Sequence, residues 1–235
     1  MRQRKQNYMA LLLAFAAGSS PIASFAQSSG LETHFAPLTV PREFFNGIHV
    51  AKDDPKAQME ADHYCSALKS GMFQCVLFSS TAADAKLMGI EYIVTGDVYR
   101  ALPEEEKKFW HPHPYEVLGG GLIAPDMTPA AEQKFMRGLM DTWGKTFHTW
   151  GDHMTDIPLG APRLMWALTG PGQVDQTLVE RRDQFFHVST SQISERRKRE
   201  IGYEEPHVAP PQSVDTVGRR WTDEGPDKPT PRKIQ

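Results

Sequence analysis

The stretch EADHYCSALKSGMFQCVLF, residues 60–78, sets the predicted fold, because it holds two apolar segments separated by turn residues. Residues 62–68 and 72–78 are predicted strands, joined through a Lys-Ser-Gly turn into a β-hairpin. Cys65 and Cys75 then face each other across the hairpin, where Cβ atoms lie about 4.5–5.5 Å apart. A small adjustment brings such a pair within disulfide distance, so a disulfide is the favoured interpretation. Two free core thiols and two thiolate metal ligands are the alternatives.

Further strands and helices follow along the chain. β-Branched and aromatic residues predict strands, and capping residues ahead of apolar periodicity predict helices. The additional strand candidates are residues 89–94, 117–124, 145–150 and 164–169. Helices are predicted to begin at Thr128, at Asp175 and, as a short segment, at Pro103. Because strands and helices do not alternate strictly, the sequence predicts an α+β fold, with a mostly antiparallel sheet and several packed helices in a single domain.

Composition and the chain ends predict a secreted protein. Basic and acidic residues are nearly balanced, with 26 Lys plus Arg against 29 Asp plus Glu, so no nucleic-acid partner is expected. Residues 1–26 combine basic residues, a short apolar stretch and a small-residue cleavage site, which is typical of a signal peptide. In a bacterium the destination is the periplasm. Residues 27–41 are a predicted lead, 42–203 the predicted domain, and 204–235 a proline-rich tail predicted to be disordered.

The hexapeptide HPHPYE, residues 111–116, is the strongest candidate for a site. Its two prolines disfavour a helix and favour an extended backbone, in which His111 and His113 project to the same side. Two histidines on one extended face are a common way to hold Zn, Cu, Ni or Fe. In the same extended backbone Glu116 points away from His113, unless the strand bulges there.

A metal site with three ring nitrogens forms if this face meets the predicted hairpin. His63 then joins His111 and His113, and His49 or Glu116 completes the ligand set. The expected ion is a first-row transition metal such as Zn. The alternative is that these are loop histidines that bond to backbone groups.

No motif in the sequence identifies a reaction. The G-x-S-x-G elbow, H-E-x-x-H, the P-loop and the dinucleotide fingerprint are all absent from the chain. No catalytic residue and no organic cofactor site is therefore predicted. Whether the protein is an enzyme stays open, and a non-enzymatic role is favoured.

Four segments resemble the plant oil-body-associated protein family and its bacterial relatives. They are EADHYC (60–65), GIEYIV (89–94), LPEEEKKFWHPHPYEV (102–117) and PLGAP (158–162). The resemblance departs from the family at Asp62, where the family has a second histidine, and at Pro112, where it has serine. The positions that match and bear on chemistry are His49, His63, Cys65, Cys75, His111, His113, Tyr115 and Glu116.

The resemblance implies a domain of unknown function, with plant members linked to seed oil bodies and no assigned catalysis. Two functions are therefore expected as alternatives. The first is a non-enzymatic binding or envelope-associated role with a peripheral lipid partner. The second is a metal-binding protein or metalloenzyme built on the histidines. The sequence does not predict an oligomeric state.

Overall fold

Antiparallel strands form the centre of the structure, a computed structural model that describes Pro37 and residues 42–201. The strands are β1 (Glu43–Ala51), β2 (Asp54–Ala67), β3 (Phe73–Phe78), β4 (Leu87–Thr95), β5 (His111–Pro112), β6 (Thr142–His148) and β7 (Arg163–Trp166). The helices are α1 (Gly96–Arg100), α2 (Glu104–Lys107), α3 (Pro114–Gly119), α4 (Pro129–Leu139), α5 (Gln176–Phe186) and α6 (Thr190–Glu200). The predicted signal peptide (1–26), lead (27–41) and tail (204–235) lie outside the described residues, apart from Pro37.

Six of the strands close into a barrel. Strands β1 to β4 pair in sequence order, β4 pairs with β6, β6 with β7, and β7 returns to β1. The short β5 pairs with the first half of β6, at Gly144 and Trp143, while β7 pairs with its second half. His111 therefore pairs with the same edge of β6 as β7 does, just before the part of β6 that pairs with β7.

The predicted α+β fold, a sheet with several packed helices, is wrong in its main feature. The sheet is closed, and the helices are few and no longer than 11 residues. Closure depends on two long-range pairings, β4 with β6 and β1 with β7, which join residues about 50 and 115 positions apart. Local periodicity reports which residues form strands but not which distant strands pair.

The hairpin at 60–78 has the predicted register. Cys65 lies opposite Cys75 in the β2–β3 ladder. The two residues are joined by a disulfide, and both side chains are buried in the main apolar cluster. The bond therefore links adjacent strands from inside the core.

The helix starts predicted at Thr128 and Asp175 are observed, but the strand predicted at residues 117–124 is not. The Thr128 and Asp175 side chains accept hydrogen bonds from the amides of Ala131 and Thr177, as N-caps do. In place of the predicted strand 117–124, helix α3 extends to Gly119 and ends at Gly120, which has a φ of 75°. Pro114 occupies the first turn of α3, where its missing N–H costs nothing.

Two buried arginines fasten α3 to the C-terminal helices. Arg182 donates to the carbonyls of Gly120 and Gly121, and Arg197 donates to those of Val117 and Leu122. These carbonyls lie in the last turn of α3 or just after it, where backbone donors become few; that of Val117 also accepts from the amide of Gly120. Helices α5 and α6 therefore fix the position of the segment that follows HPHP. The helices among residues 42–201 are too short or too polar to span a lipid bilayer.

Candidate metal centre

The barrel interior contains a cluster of ionisable side chains, none more than 4% exposed. Strands β1, β2, β4 and β6 supply His49, His63, Glu91 and His148, and the segment 111–116 supplies His111, His113 and Glu116. Burying polar groups is costly unless each has a partner, and burying a charge costs more. A cluster of this kind in a small barrel is therefore a candidate functional site.

Glu91 lies at the centre of the cluster. Its Oε2 is 2.9 Å from Nε2 of His63 on β2. Its Oε1 is 3.4 Å from Nε2 of His111 and 3.5 Å from Nε2 of His113. The two carboxylate oxygens thus face two different sets of histidines.

Gly144 makes room for this convergence. A Cβ atom at position 144 would lie 2.1 Å from Oε1 of Glu91 and 2.7 Å from Nε2 of both His111 and His113. Such distances are far below a van der Waals contact, so no other residue type fits at this position of β6 without displacing the cluster.

Hydrogen bonds fix the tautomers of two of the histidines in their neutral forms. Nδ1 of His63 lies 2.9 Å from the carbonyl oxygen of Ala61, so Nδ1 carries the proton. Nδ1 of His113 lies 2.7 Å from Oγ1 of Thr142, whose hydroxyl already donates to the carbonyl of Leu139. Thr142 must therefore accept from His113. Nε2 of each ring faces Glu91, and in the neutral form of the ring it is this nitrogen that has the lone pair.

A chain of contacts sets the tautomer of His49 in the same way. Nδ1 of His148 lies 3.1 Å from the Met59 sulfur, which can only accept. With Nδ1 donating, Nε2 of His148 accepts from Nδ1 of His49 at 2.9 Å. The remaining nitrogen of His49, Nε2, therefore also carries a lone pair. Metal-binding histidines commonly use one ring nitrogen for such a supporting hydrogen bond and the other for the ion.

His111 differs from the other histidines. Within the part of the chain that the structure describes, neither of its ring nitrogens makes a hydrogen bond, although the residue is fully buried. Buried polar atoms are almost always paired in native proteins. A metal ion bound to Nε2 would satisfy one of its two nitrogens.

Burial determines the charge of the cluster. It lowers the pKa of His111 to about 4 and that of His148 to about 3, and it holds the pKa of His49 well below its usual value. These rings are neutral at pH 7 and their lone pairs are available. Burial alone would raise the pKa of Glu91, but its polar contacts with His111, His113 and His63 lower it well below the usual range. Burial, together with the negative charge of Glu91, raises the pKa of Glu116 well above its usual value.

The distances between ligand atoms match a coordination shell better than a hydrogen-bond network. In a tetrahedral zinc site with bonds of about 2.0–2.1 Å, neighbouring ligand atoms lie about 3.3 Å apart. The separations of 3.4 Å and 3.5 Å from Glu91 to His111 and His113 are close to this value. They are long for a charge-assisted hydrogen bond, which is about 2.7–2.9 Å and which the 2.9 Å between Glu91 and His63 matches. Oε1 of Glu116 lies 3.9 Å from Nε2 of His113, outside the group formed by Glu91, His111 and His113.

The space within the cluster suits an ion rather than an organic molecule. A cavity of about 10 Å³ is lined by five members of the cluster and four apolar residues. This is about the room that one water molecule needs. The structure also has a surface groove of about 420 Å³ beside α6, but no histidine or cysteine lines it.

The structure brings together all five residues predicted as ligands from the sequence: His49, His63, His111, His113 and Glu116. The predicted extended backbone is observed at His111–Pro112, but it gives way to α3 at Pro114. The expectation that Glu116 points away from His113 is therefore wrong, because a helical turn places residues three apart on the same side.

Sequence reasoning missed Glu91 and His148. The signal for Glu91 was present in GIEYIV, where a carboxylate sits in the middle of an otherwise apolar strand. In a barrel, alternate residues point inward, so Glu91 shares the interior with Gly89 and Ile93. His148 had no such signal, because its role depends on the pairing of β6 with β4.

Comparisons with known proteins identify the family. The family described as "Protein of unknown function (DUF1264)" matches residues 35–201. Oil body-associated protein 1A of Zea mays is 37% identical over 171 residues, 72% of this chain and 72% of the maize protein. Oil body-associated protein 1B of Arabidopsis thaliana is 37% identical over 156 residues, 66% of this chain and 65% of that protein. Oil body-associated protein 2C of Arabidopsis thaliana is 31% identical over 166 residues, 69% and 67% of the two chains.

The chain thus spans about two thirds to three quarters of the length of these curated relatives. No solved structure matches it significantly. The resemblance inferred from four sequence segments is confirmed. The chain belongs to the DUF1264 family and is a relative of the plant oil-body-associated proteins.

Proposed function

We propose that the protein binds a first-row transition metal, Zn²⁺ in the first place, inside its barrel. The ligands are one oxygen of Glu91 and Nε2 of His111 and His113. Glu116, whose Oε1 is 3.9 Å from Nε2 of His113, would complete the set by moving towards the ion. The observation that carries the proposal is the convergence of Nε2 of His111 and of His113 on one oxygen of Glu91, with Nδ1 of His113 held by Thr142.

The chemistry of the ligand set supports this function. Imidazole nitrogens with one carboxylate are a typical zinc set, and imidazole also suits Cu, Fe and Ni. A buried carboxylate needs a compensating charge, and a divalent cation bound by Glu91 would supply it. Glu116 would release its proton on binding, since metal ligands must be deprotonated.

The test is calorimetric titration of Zn²⁺ into the metal-depleted full chain. We expect binding by the wild-type protein, loss of binding in Glu91→Gln, and loss of the ion held by His111 and His113 in the double variant His111→Ala/His113→Ala. The matched control is His187→Asn, which removes an exposed histidine outside the cluster and keeps a residue type that tolerates its positive φ of 53°. If Glu91→Gln binds Zn²⁺ as tightly as the wild-type protein, the proposal fails.

A second candidate function is association with a lipid surface. It is supported by the names of the relatives, which are oil body-associated proteins, and by an exposed apolar loop. In this loop Met154, Ile157 and Leu159 are 78%, 61% and 59% exposed. Apolar side chains presented together on one loop are suited to peripheral insertion at a lipid–water boundary.

Flotation with phospholipid-coated oil droplets tests this second function. The wild-type chain should float with the droplets both with and without a chelator. The triple variant Met154→Ser/Ile157→Ser/Leu159→Ser should stay in the aqueous phase. The single change Val98→Ser, at another exposed apolar residue, is the control and should not reduce flotation. Equal flotation of the triple variant and the wild-type chain would contradict this function.

A further inference from the structure

We infer that the barrel interior is a two-metal centre in which the carboxylate of Glu91 bridges the two ions. The first ion takes Oε1 of Glu91 with His111 and His113, and the second takes Oε2 with His49 and His63. This inference rests on the proposed function and extends it from one ion to two.

The geometry divides the cluster into two ligand sets. One ligand atom from each of His49, His63 and Glu91 lies within 4.8 Å of the others, and the same holds for Glu91, His111 and His113. Glu91 is the one residue common to both sets. Its Oε2 approaches His63 and its Oε1 approaches His111 and His113, so each oxygen serves a different set.

A single ion at the first set leaves the second set unexplained. Nε2 of His63 lies 2.9 Å from Oε2 of Glu91, and its Nδ1 is held by the carbonyl of Ala61. His49 contributes a ligand atom within 4.8 Å of both, and its Nδ1 is already held by His148. Two imidazoles, each with one ring nitrogen engaged outside the set, and a carboxylate oxygen therefore converge at a second place in the barrel, as metal ligands do.

The internal space lies where the two sets meet. The cavity is lined by His49 and His63 from one set, by His113 from the other, and by Glu91 and Glu116. Two-metal centres in proteins hold their ions about 3.5–4 Å apart, a spacing that a bridging carboxylate spans. The ligand chemistry, four imidazoles and two carboxylates, fits divalent first-row ions such as Zn²⁺ or Mn²⁺.

The experiment counts ions in the full chain after depletion and reconstitution with Zn²⁺ or Mn²⁺. We expect two ions per wild-type chain and one in His49→Gln/His63→Gln. We also expect one in His111→Gln/His113→Gln and none in Glu91→Gln. Electron paramagnetic resonance of the Mn²⁺ form should show a spin-coupled pair in the wild-type chain and an isolated ion in each double variant. Circular dichroism of each variant shows whether the barrel has formed.

The outcomes separate the two claims. One ion per wild-type chain, with an uncoupled Mn²⁺ spectrum, would overturn the two-metal inference and leave the proposed function intact. No ion in the wild-type chain would overturn both. The wild-type count decides the matter even if a double variant fails to fold.

Discussion

At the scale of single residues, the interior site depends on one carboxylate and on one glycine that leaves space for it. Glu91 on β4 extends across the barrel interior, and Gly144 on β6 leaves the space in which its Oε1 meets the rings of His111 and His113. In the β4–β6 ladder Gly144 is paired with Ile93, two residues along β4 from Glu91. The space at Gly144 therefore lies diagonally across from Glu91, within reach of its carboxylate.

The change Gly144→Ala should weaken metal binding by about 10–100-fold while the disulfide-linked hairpin still forms. The added methyl group overlaps Oε1 of Glu91 and pushes the carboxylate out of the cluster. Disturbing the support of metal ligands typically costs about 10–100-fold in affinity. Zinc titration measures the effect. The control is Gly138→Ala in α4, where a Cβ meets nothing within 4 Å, and this change should stabilise the helix by about 0.5–1 kcal/mol. Unchanged zinc affinity in Gly144→Ala would contradict the account of the site.

The buried histidines should make the metal-free protein sensitive to acid. Burial lowers the pKa of His148 to about 3. Below about pH 6.5 the unfolded chain binds a proton that the folded chain does not, so stability falls as the pH falls. The loss is about 1.4 kcal/mol per pH unit for each such histidine. Urea unfolding between about pH 7 and about pH 5 should therefore show a steeper decline for the wild-type chain than for His148→Gln. Parallel pH profiles would show that His148 titrates normally.

At the scale of elements, the site is held by helices that contribute few ligands. Helix α3 carries Glu116 and follows directly on His113, and its end is fixed by Arg182 and Arg197. Arg197 also bonds to Glu132 on α4. The C-terminal helices therefore hold the end of α3 in place, through hydrogen bonds from two buried arginine side chains to backbone carbonyls. In this way they fix the position of the segment that carries the ligands.

The change Arg197→Met should destabilise the protein by about 3–5 kcal/mol, because it leaves two buried carbonyls and a buried carboxylate with fewer partners. Zinc affinity should fall as well, since α3 loses one of its fixed points. The matched control is Arg196→Met, which removes a partly exposed ion pair with the same Glu132 and should cost no more than about 1 kcal/mol. Urea unfolding of both variants measures the difference. Equal losses would show that the contacts to α3 contribute little.

The disulfide in the β2–β3 hairpin should stabilise the barrel without affecting the metal. The double variant Cys65→Ala/Cys75→Ala should lose about 2–3 kcal/mol, because the bond closes a short loop in the unfolded chain. Its zinc content should equal that of the wild-type chain, since neither sulfur belongs to the ligand sets. Thermal unfolding and elemental analysis of the same sample test both points. A parallel loss of zinc would place the cysteines in the metal site.

At the scale of the whole molecule, the fold could be predicted in its local parts and not in its closure. The hairpin with Cys65 opposite Cys75 follows from spacing, and the helix starts at Thr128 and Asp175 follow from their capping side chains. The barrel could not be predicted in this way, because pairings such as Val50 with Trp166 leave no trace in neighbouring residues. The same limit applies to the site. The histidines form a motif that is visible in the sequence. The position of Glu91 beside them depends on the pairing of β4 with β6, which the sequence does not show.

The most direct test of the central claim is a crystal structure of the zinc-loaded full chain, measured with X-rays above and below the zinc absorption edge. The account predicts an anomalous peak inside the barrel, about 2.0–2.1 Å from an oxygen of Glu91 and from Nε2 of His111 and His113. A second peak on the side of His49 and His63 would support the two-metal centre. The contradicting result is an interior without an anomalous peak, with Glu91 in direct hydrogen bonds to the histidines.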